Sequence, residues 1–230
     1  MKKLLFAALA LCFALSASAV ELKSEGRDTA YVASIVKRSA KIVDKLGLKD
    51  QAAIEAVTHI IANRYFELND IYEVRDTKLE AAKALTGDER KAMQEVARWE
   101  ADSKLYRSHF AYPATLALYL NEEQIEAVMD GMTFGVVGVT YKATCDMIPS
   151  LTDEEKAQIL TWLKEARELA VDAESSRKKH EVFGKYKGRI NNYLSKRGYD
   201  LTAEREAWYK RIEAEKAKAE KKNKKRAKKQ

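Results

Sequence analysis

Residue types with chemical potential are densest in HEVFGKYKGRINNYLSKRGYDL, residues 180–201, where basic, amide and aromatic side chains interleave. An imidazole that moves a proton and a guanidinium that neutralises a carboxylate are the parts an elimination from a uronic acid needs. His180 and Arg189 supply them here, and His109, in YRSHFAYPATLALYL, offers a second imidazole; these three are the candidate catalytic residues. A donor set for the carboxylates and hydroxyls of an acidic sugar accompanies them. It comprises Lys185, Asn191 and Asn192 from the same stretch, and His59, Arg64 and Tyr65 from THIIANRYFELND, residues 58–70. A hydrolase working with two carboxylates has many Asp and Glu to draw on, and the sequence singles out no pair.

The same stretch also reads as an amphipathic helix. Phe183, Tyr186, Ile190, Tyr193 and Leu194 share one face at helical spacing, and the polar residues lie around the others. Gly184 and Gly188 each cost about 1 kcal/mol against Ala inside a helix, so the pair predicts a close crossing with a neighbouring helix. Aromatic residues on a core face cannot stack bases, which argues against a specific nucleic-acid partner.

Other chemistries lack their signatures. The three histidines sit on separate segments with neither HExxH nor CxxC, so no metal site is expected. Gly131, Gly135 and Gly138 match neither a Walker loop nor a dinucleotide fingerprint, so no cofactor is expected. Nothing around Cys145 marks an activated thiolate, so it reads as a core cysteine.

The chain opens with MKKLLFAALALCFALSASAVELK: two lysines, an apolar run from Leu4 to Leu15, then Ala17-Ser18-Ala19. That run is shorter than the roughly 20 residues a bilayer requires, and the pattern predicts a signal peptide over residues 1–19 with export to the periplasm or beyond. Cys145 is then the only cysteine left, which rules out an intrachain disulfide. The formal charge of +7 belongs to the ends: residues 216–230 carry nine Lys/Arg and one Glu, and the leader carries two lysines. Removing that +8 and +2 leaves residues 20–215 at −3, a mildly acidic body with a basic tail suited to anionic surfaces.

Two prolines and nine glycines in 230 residues, with abundant Ala, Glu, Lys and Leu, predict an all-α fold: a single-domain antiparallel helical bundle over residues 20–212. Ile35, Ile42, Val43 and Leu46 recur at helical spacing before Gly47, and Asp50 can cap a long following helix. LTGDE (85–89), LNEEQ (120–124) and LTDEE (151–155) are capping boxes in which Glu89, Gln124 or Glu155 reaches back to the cap; LTAER (201–205) is a weaker fourth. Ser175 and Ser176 offer a cap for the helix that holds His180, and Pro113 suits the first position of a helix. One short glycine-rich segment within residues 130–150 is expected to be non-helical before two helical turns, and residues 213–230 are expected to form a lysine-rich helical or disordered tail that frays beyond Ile212.

The run from Asp130 to Leu201 resembles an uncharacterised family of secreted helical bacterial proteins, a domain of unknown function found beside polysaccharide-utilisation enzymes. The resemblance covers most of the chain after the leader, stops before the lysine tail, and implies glycan breakdown outside the cytoplasm without fixing a reaction. An acidic oligosaccharide, bound or cleaved by a lyase or hydrolase, is the reading that joins this context to the residues above. LNEEQ and its relatives also resemble the LTxxQ motif of small periplasmic stress chaperones, so the rival is a non-catalytic chaperone-like or accessory protein.

Overall fold

The computed structural model describes residues 20–227, with side chains to residue 220. The predicted leader and the last three residues lie outside the described residues. Eight α-helices follow one another: α1 (Thr29–Val43), α2 (Gln51–Ala81), α3 (Gly87–Leu116), α4 (Glu122–Met132), α5 (Val136–Met147), α6 (Asp153–Val171), α7 (Ser176–Lys196) and α8 (Leu201–Ala227). The fold is all-α, and among the described residues no helix is long and apolar enough to cross a membrane.

Side-chain caps fix most of the boundaries. Asp28, Asp50 and Ser175 each accept a backbone N–H from the first turn of α1, α2 and α7. Asn121 and Thr152 form complete capping boxes with Gln124 and Glu155, whereas Thr86 makes no side-chain bond at the start of α3. Asp200, not Thr202, caps α8 by accepting from the backbone of Thr202 and Ala203 at 3.0 and 3.1 Å. Pro113 lies inside the last turn of α3 rather than at a helix start; its missing N–H removes a single bond close to the helix end.

Two large apolar cores hold the described residues together, with a small third one of Ile35, Ala62 and Phe66 between α1 and α2. Ile42, Val57, Ile61, Leu116, Val128 and Met132 close the first around α1 to α4. Ile148, Ile159, Leu163, Phe183, Ile190 and Leu194 close the second around α5 to α7. Helix α6 joins them, since its last residue, Val171, is fully buried in the first core while its earlier turns fill the second. Beyond Ile71 the α2–α3 hairpin buries only Ala82, Ala97 and Ala101 before Tyr112, and so forms an arm with thin packing.

Two expectations about non-helical or close-packed segments change. Helix α5 starts at Val136, which confines the non-helical glycine-rich segment to Thr133–Gly135; burial of Val137 outweighs the poor helix propensity of the valines. Gly184 and Gly188 face open space, with no atom within 4 Å of an added Cβ, so no helix crosses them. The glycine that does mark a close crossing is Gly131, where a Cβ would meet Ile42 of α1 at 2.8 Å. The backbone of α8 runs as helix to Ala227.

Candidate functional site

The expected site residues occupy separate places. Arg189 is half-exposed on α7, with its guanidinium 4.6 Å from the centre of the Trp162 ring and 3.5 Å from Glu165. Asn191, Asn192 and Lys185 are exposed along the same helix. His180, nine residues and therefore about 13 Å earlier along α7, stacks on Phe134 at 5.4 Å. On α2, His59 donates from Nδ1 to the carbonyl of Val20 at 2.6 Å, and Asn63 bonds both Glu21 and Lys23 at 2.8 Å. These two therefore clamp the segment that precedes α1.

Arg64 and His109 meet at the end of α6. Asp172 accepts from Arg64 Nη2 at 2.6 Å on one carboxylate oxygen and from His109 Nδ1 at 2.8 Å on the other; Tyr72 donates to its backbone carbonyl at 2.7 Å. Arg64 is buried, also holds Glu67 at 2.7 Å, and lies over the ring of Tyr112. Burial alone would cost such a guanidinium its charge, but Asp172 and Glu67 restore it and hold its pKa above the ordinary value. The cluster ties α2 and α3 to the α6–α7 turn. The cluster fixes the position of that turn.

The turn is one wall of a cleft of about 1080 Å³ between α1, α2, the α4–α5 turn and the start of α7. Arg38 and Lys41 line it from α1, Lys45 from the turn after α1, Tyr65 and Asn69 from α2, Phe134 from the α4–α5 turn, and Ser175, Ser176 and Lys179 from the cap and first turn of α7. None of the four cations forms an ion pair with a described residue. The two acids in the lining are already engaged: Asp130 by Arg167 at 3.1 Å and Glu174 by Arg75 at 2.5 Å. A cleft with four uncompensated positive charges favours an anionic ligand, because its low-dielectric walls focus the field.

Of the four cations, Lys179 is the buried one. Only 5% of it is exposed, and its Nζ donates to the carbonyl of Val171 at 2.7 Å, one of the carbonyls left free by the end of α6. Burial lowers its pKa to about 8; Asp172 opposes the shift, while Arg38 and Arg64 add to it. Tyr65 lies under the guanidinium of Arg38 at 5.5 Å, and its burial raises the phenol's pKa and keeps it a hydrogen-bond donor. Phe134 is the sole non-glycine residue with positive φ among the described residues, at 63°, yet its ring is exposed beside the cleft. That conformation costs roughly 1 to 2 kcal/mol for a residue with a Cβ. Gly135, also left-handed at 65°, completes the turn, and its N–H closes onto Asp130 at 2.8 Å.

Of the expected residues, the structure brings Tyr65 into the cleft, with His180 adjacent through Phe134, and leaves the others elsewhere. Arg38, Lys41, Lys45 and Lys179 were absent from the expected set. A signal for three of them exists: TAYVASIVKRSAKIV carries Lys37, Arg38 and Lys41 with no acid, in a body that is acidic overall, and Tyr31, Ser34, Arg38, Lys41 and Lys45 recur at three-and-four spacing. Nothing in the sequence marks Lys179 apart from Lys178 beside it.

Residues 32–214 match the family described as protein of unknown function DUF3826, and the chain belongs to that family. No curated protein matches the chain.

Proposed function

We propose that this DUF3826 protein binds an acidic, uronate-containing oligosaccharide in the α1–α7 cleft, outside the cytoplasm, in the service of polysaccharide utilisation. The observation that carries the reading is the convergence of Arg38, Lys41, Lys45 and Lys179, none of them in an ion pair with a described residue, on one cavity. Guanidinium and ammonium groups pair with carboxylates spaced along a polymer, while Tyr31, Tyr65 and Phe134 offer apolar faces to sugar rings. At about 1080 Å³ the cleft exceeds the usual small-molecule pocket and suits more than one ring. The leader-like first 19 residues support export.

Titration calorimetry with trigalacturonate and with its methyl ester tests this. Binding of the acid alone, weakened about tenfold by Arg38→Ala and falling with added salt, is the expected result. Equal binding of acid and ester would refute the role assigned to the cations. A second reading, a non-catalytic chaperone-like protein, draws on the exposed Val74, Met93, Trp99, Tyr106 and Phe110 of the α2–α3 arm. It predicts suppression of aggregation of an unfolded client, undiminished by Arg38→Ala.

A further inference from the structure

We infer that Lys179 is a nucleophilic amine, placed at the base of the cleft to condense with the carbonyl carbon of an anionic aldehyde or 2-keto acid, the open-chain chemistry of an acidic sugar. The inference rests on the anion-binding reading for its ligand class and adds covalent chemistry to it.

A lysine reacts this way when it is desolvated, without a carboxylate partner, and reachable from a cavity. Lys179 meets all three conditions. It is 5% exposed, it borders the cleft, and its single hydrogen bond runs to the carbonyl of Val171, which takes one N–H and leaves the lone pair of the neutral amine free. The nearest acid that favours its charge is Asp172, whose two carboxylate oxygens are held by Arg64 at 2.6 Å and His109 at 2.8 Å. Arg38, across the cleft lining, and Arg64, behind it, both disfavour an ammonium at this place. With its pKa at about 8, half of the amine is neutral at pH 8. An ordinary lysine at that pH is neutral in roughly 0.4% of molecules.

The step balances without an oxidant or reductant. The Nζ lone pair forms the N–C bond, the carbonyl oxygen takes protons and leaves as water, and C=N replaces C=O. The imine then holds a proton as an iminium, whose positive charge the ligand's own carboxylate offsets. Arg38 and Lys41 would hold that carboxylate before the bond forms.

The test uses the purified protein at pH 8 with glyoxylate, the smallest anionic aldehyde, and cyanoborohydride to trap the imine, followed by peptide mapping. Lys179 should be modified at least about tenfold faster than exposed lysines such as Lys185, in keeping with its larger neutral fraction. Propanal, similar in size but neutral, should show a smaller preference for Lys179, and Arg38→Ala should reduce the glyoxylate preference towards that of propanal. Modification of Lys179 no faster than Lys185 would overturn the inference. A trigalacturonate titration on the same sample separates the two ideas. Binding without preferential labelling removes the covalent chemistry and keeps the anion site; preferential labelling without binding keeps the amine and removes the glycan.

Discussion

Replacing Lys179 with Met should stabilise the protein at neutral pH while weakening anion binding, an outcome opposite to that for most core substitutions. The magnitude follows from the buried amine. Its pKa falls from 10.5 to about 8 on folding, so the unfolded chain binds more protons between those values. That difference corresponds to about 3 kcal/mol against the folded state, present in full below pH 8, relieved as pH rises and gone above about 10.5. Met has similar length and no charge, so it removes this cost but also the Nζ bond to Val171, which contributes about 1 to 2 kcal/mol. The net gain at pH 7 is therefore about 1 to 2 kcal/mol, roughly 3 to 6 °C in Tm for a chain of this size. Urea titrations of both proteins at pH 7, 9 and 10.5 check the sign and its reversal, because the variant should lose its advantage across that range. A loss of more than about 1 kcal/mol at pH 7, or a difference that does not change with pH, would refute the reasoning that burial dominates at this lysine.

Glycine substitutions should divide by what their Cβ would meet. Gly131→Ala should destabilise by about 1 to 3 kcal/mol, because Ile42 stands 2.8 Å away, whereas Gly184→Ala and Gly188→Ala, with open space around them inside α7, should each stabilise by roughly 0.5 to 1 kcal/mol in thermal melts. Phe134→Asn should raise stability by about 1 kcal/mol through relief of its left-handed backbone, yet weaken trigalacturonate binding, if its exposed ring serves the ligand. At the far end of the molecule, Glu155 is held at a pKa of about 2 by the Tyr199 hydroxyl, the Thr152 N–H and Arg197. Its folded pKa is depressed, so its contribution is present above the unfolded value of 4.5 and is lost as pH falls towards 2. Glu155→Gln should accordingly cost about 2 kcal/mol at pH 7 and nothing near pH 2, as read from acid unfolding by circular dichroism.

Helices were legible in this sequence because their signals are local. Ser175 and the boxes at Asn121 and Thr152 locate helix starts by satisfying N–H groups within one turn, and Asp50 does the same for the longest helix. Where tertiary packing decides, local signals misled. Val136, Val137 and Val139 argue against a helix, yet Val137 is buried in the second core and the segment is helical. Gly184 and Gly188 imitate a packing motif with nothing packed on it. The site was less legible still, because residue type alone does not say which polar groups are already spent. His59 bonds the carbonyl of Val20, Arg64 and His109 share Asp172, and Arg189 lies on Trp162.

What separates the cleft residues from those decoys is compensation. A buried cation is tolerated when a carboxylate restores its charge, and Arg64 and Arg167 have theirs. Lys179 has only a carbonyl, and its charge is correspondingly weakened. Phe134 likewise holds a backbone conformation that Gly or Asn would hold at lower cost. Two locally unfavourable choices that both border one cleft, beside Arg38, Lys41 and Lys45, which form no ion pair with a described residue, are hard to account for by folding alone, since a Met and an Asn at these positions would give a more stable chain. Strained conformations and unpaired charges concentrate where a ligand supplies the missing interaction. On that argument a bound anion should raise Tm more in the wild type than in Lys179→Met, even though the variant starts from the higher value.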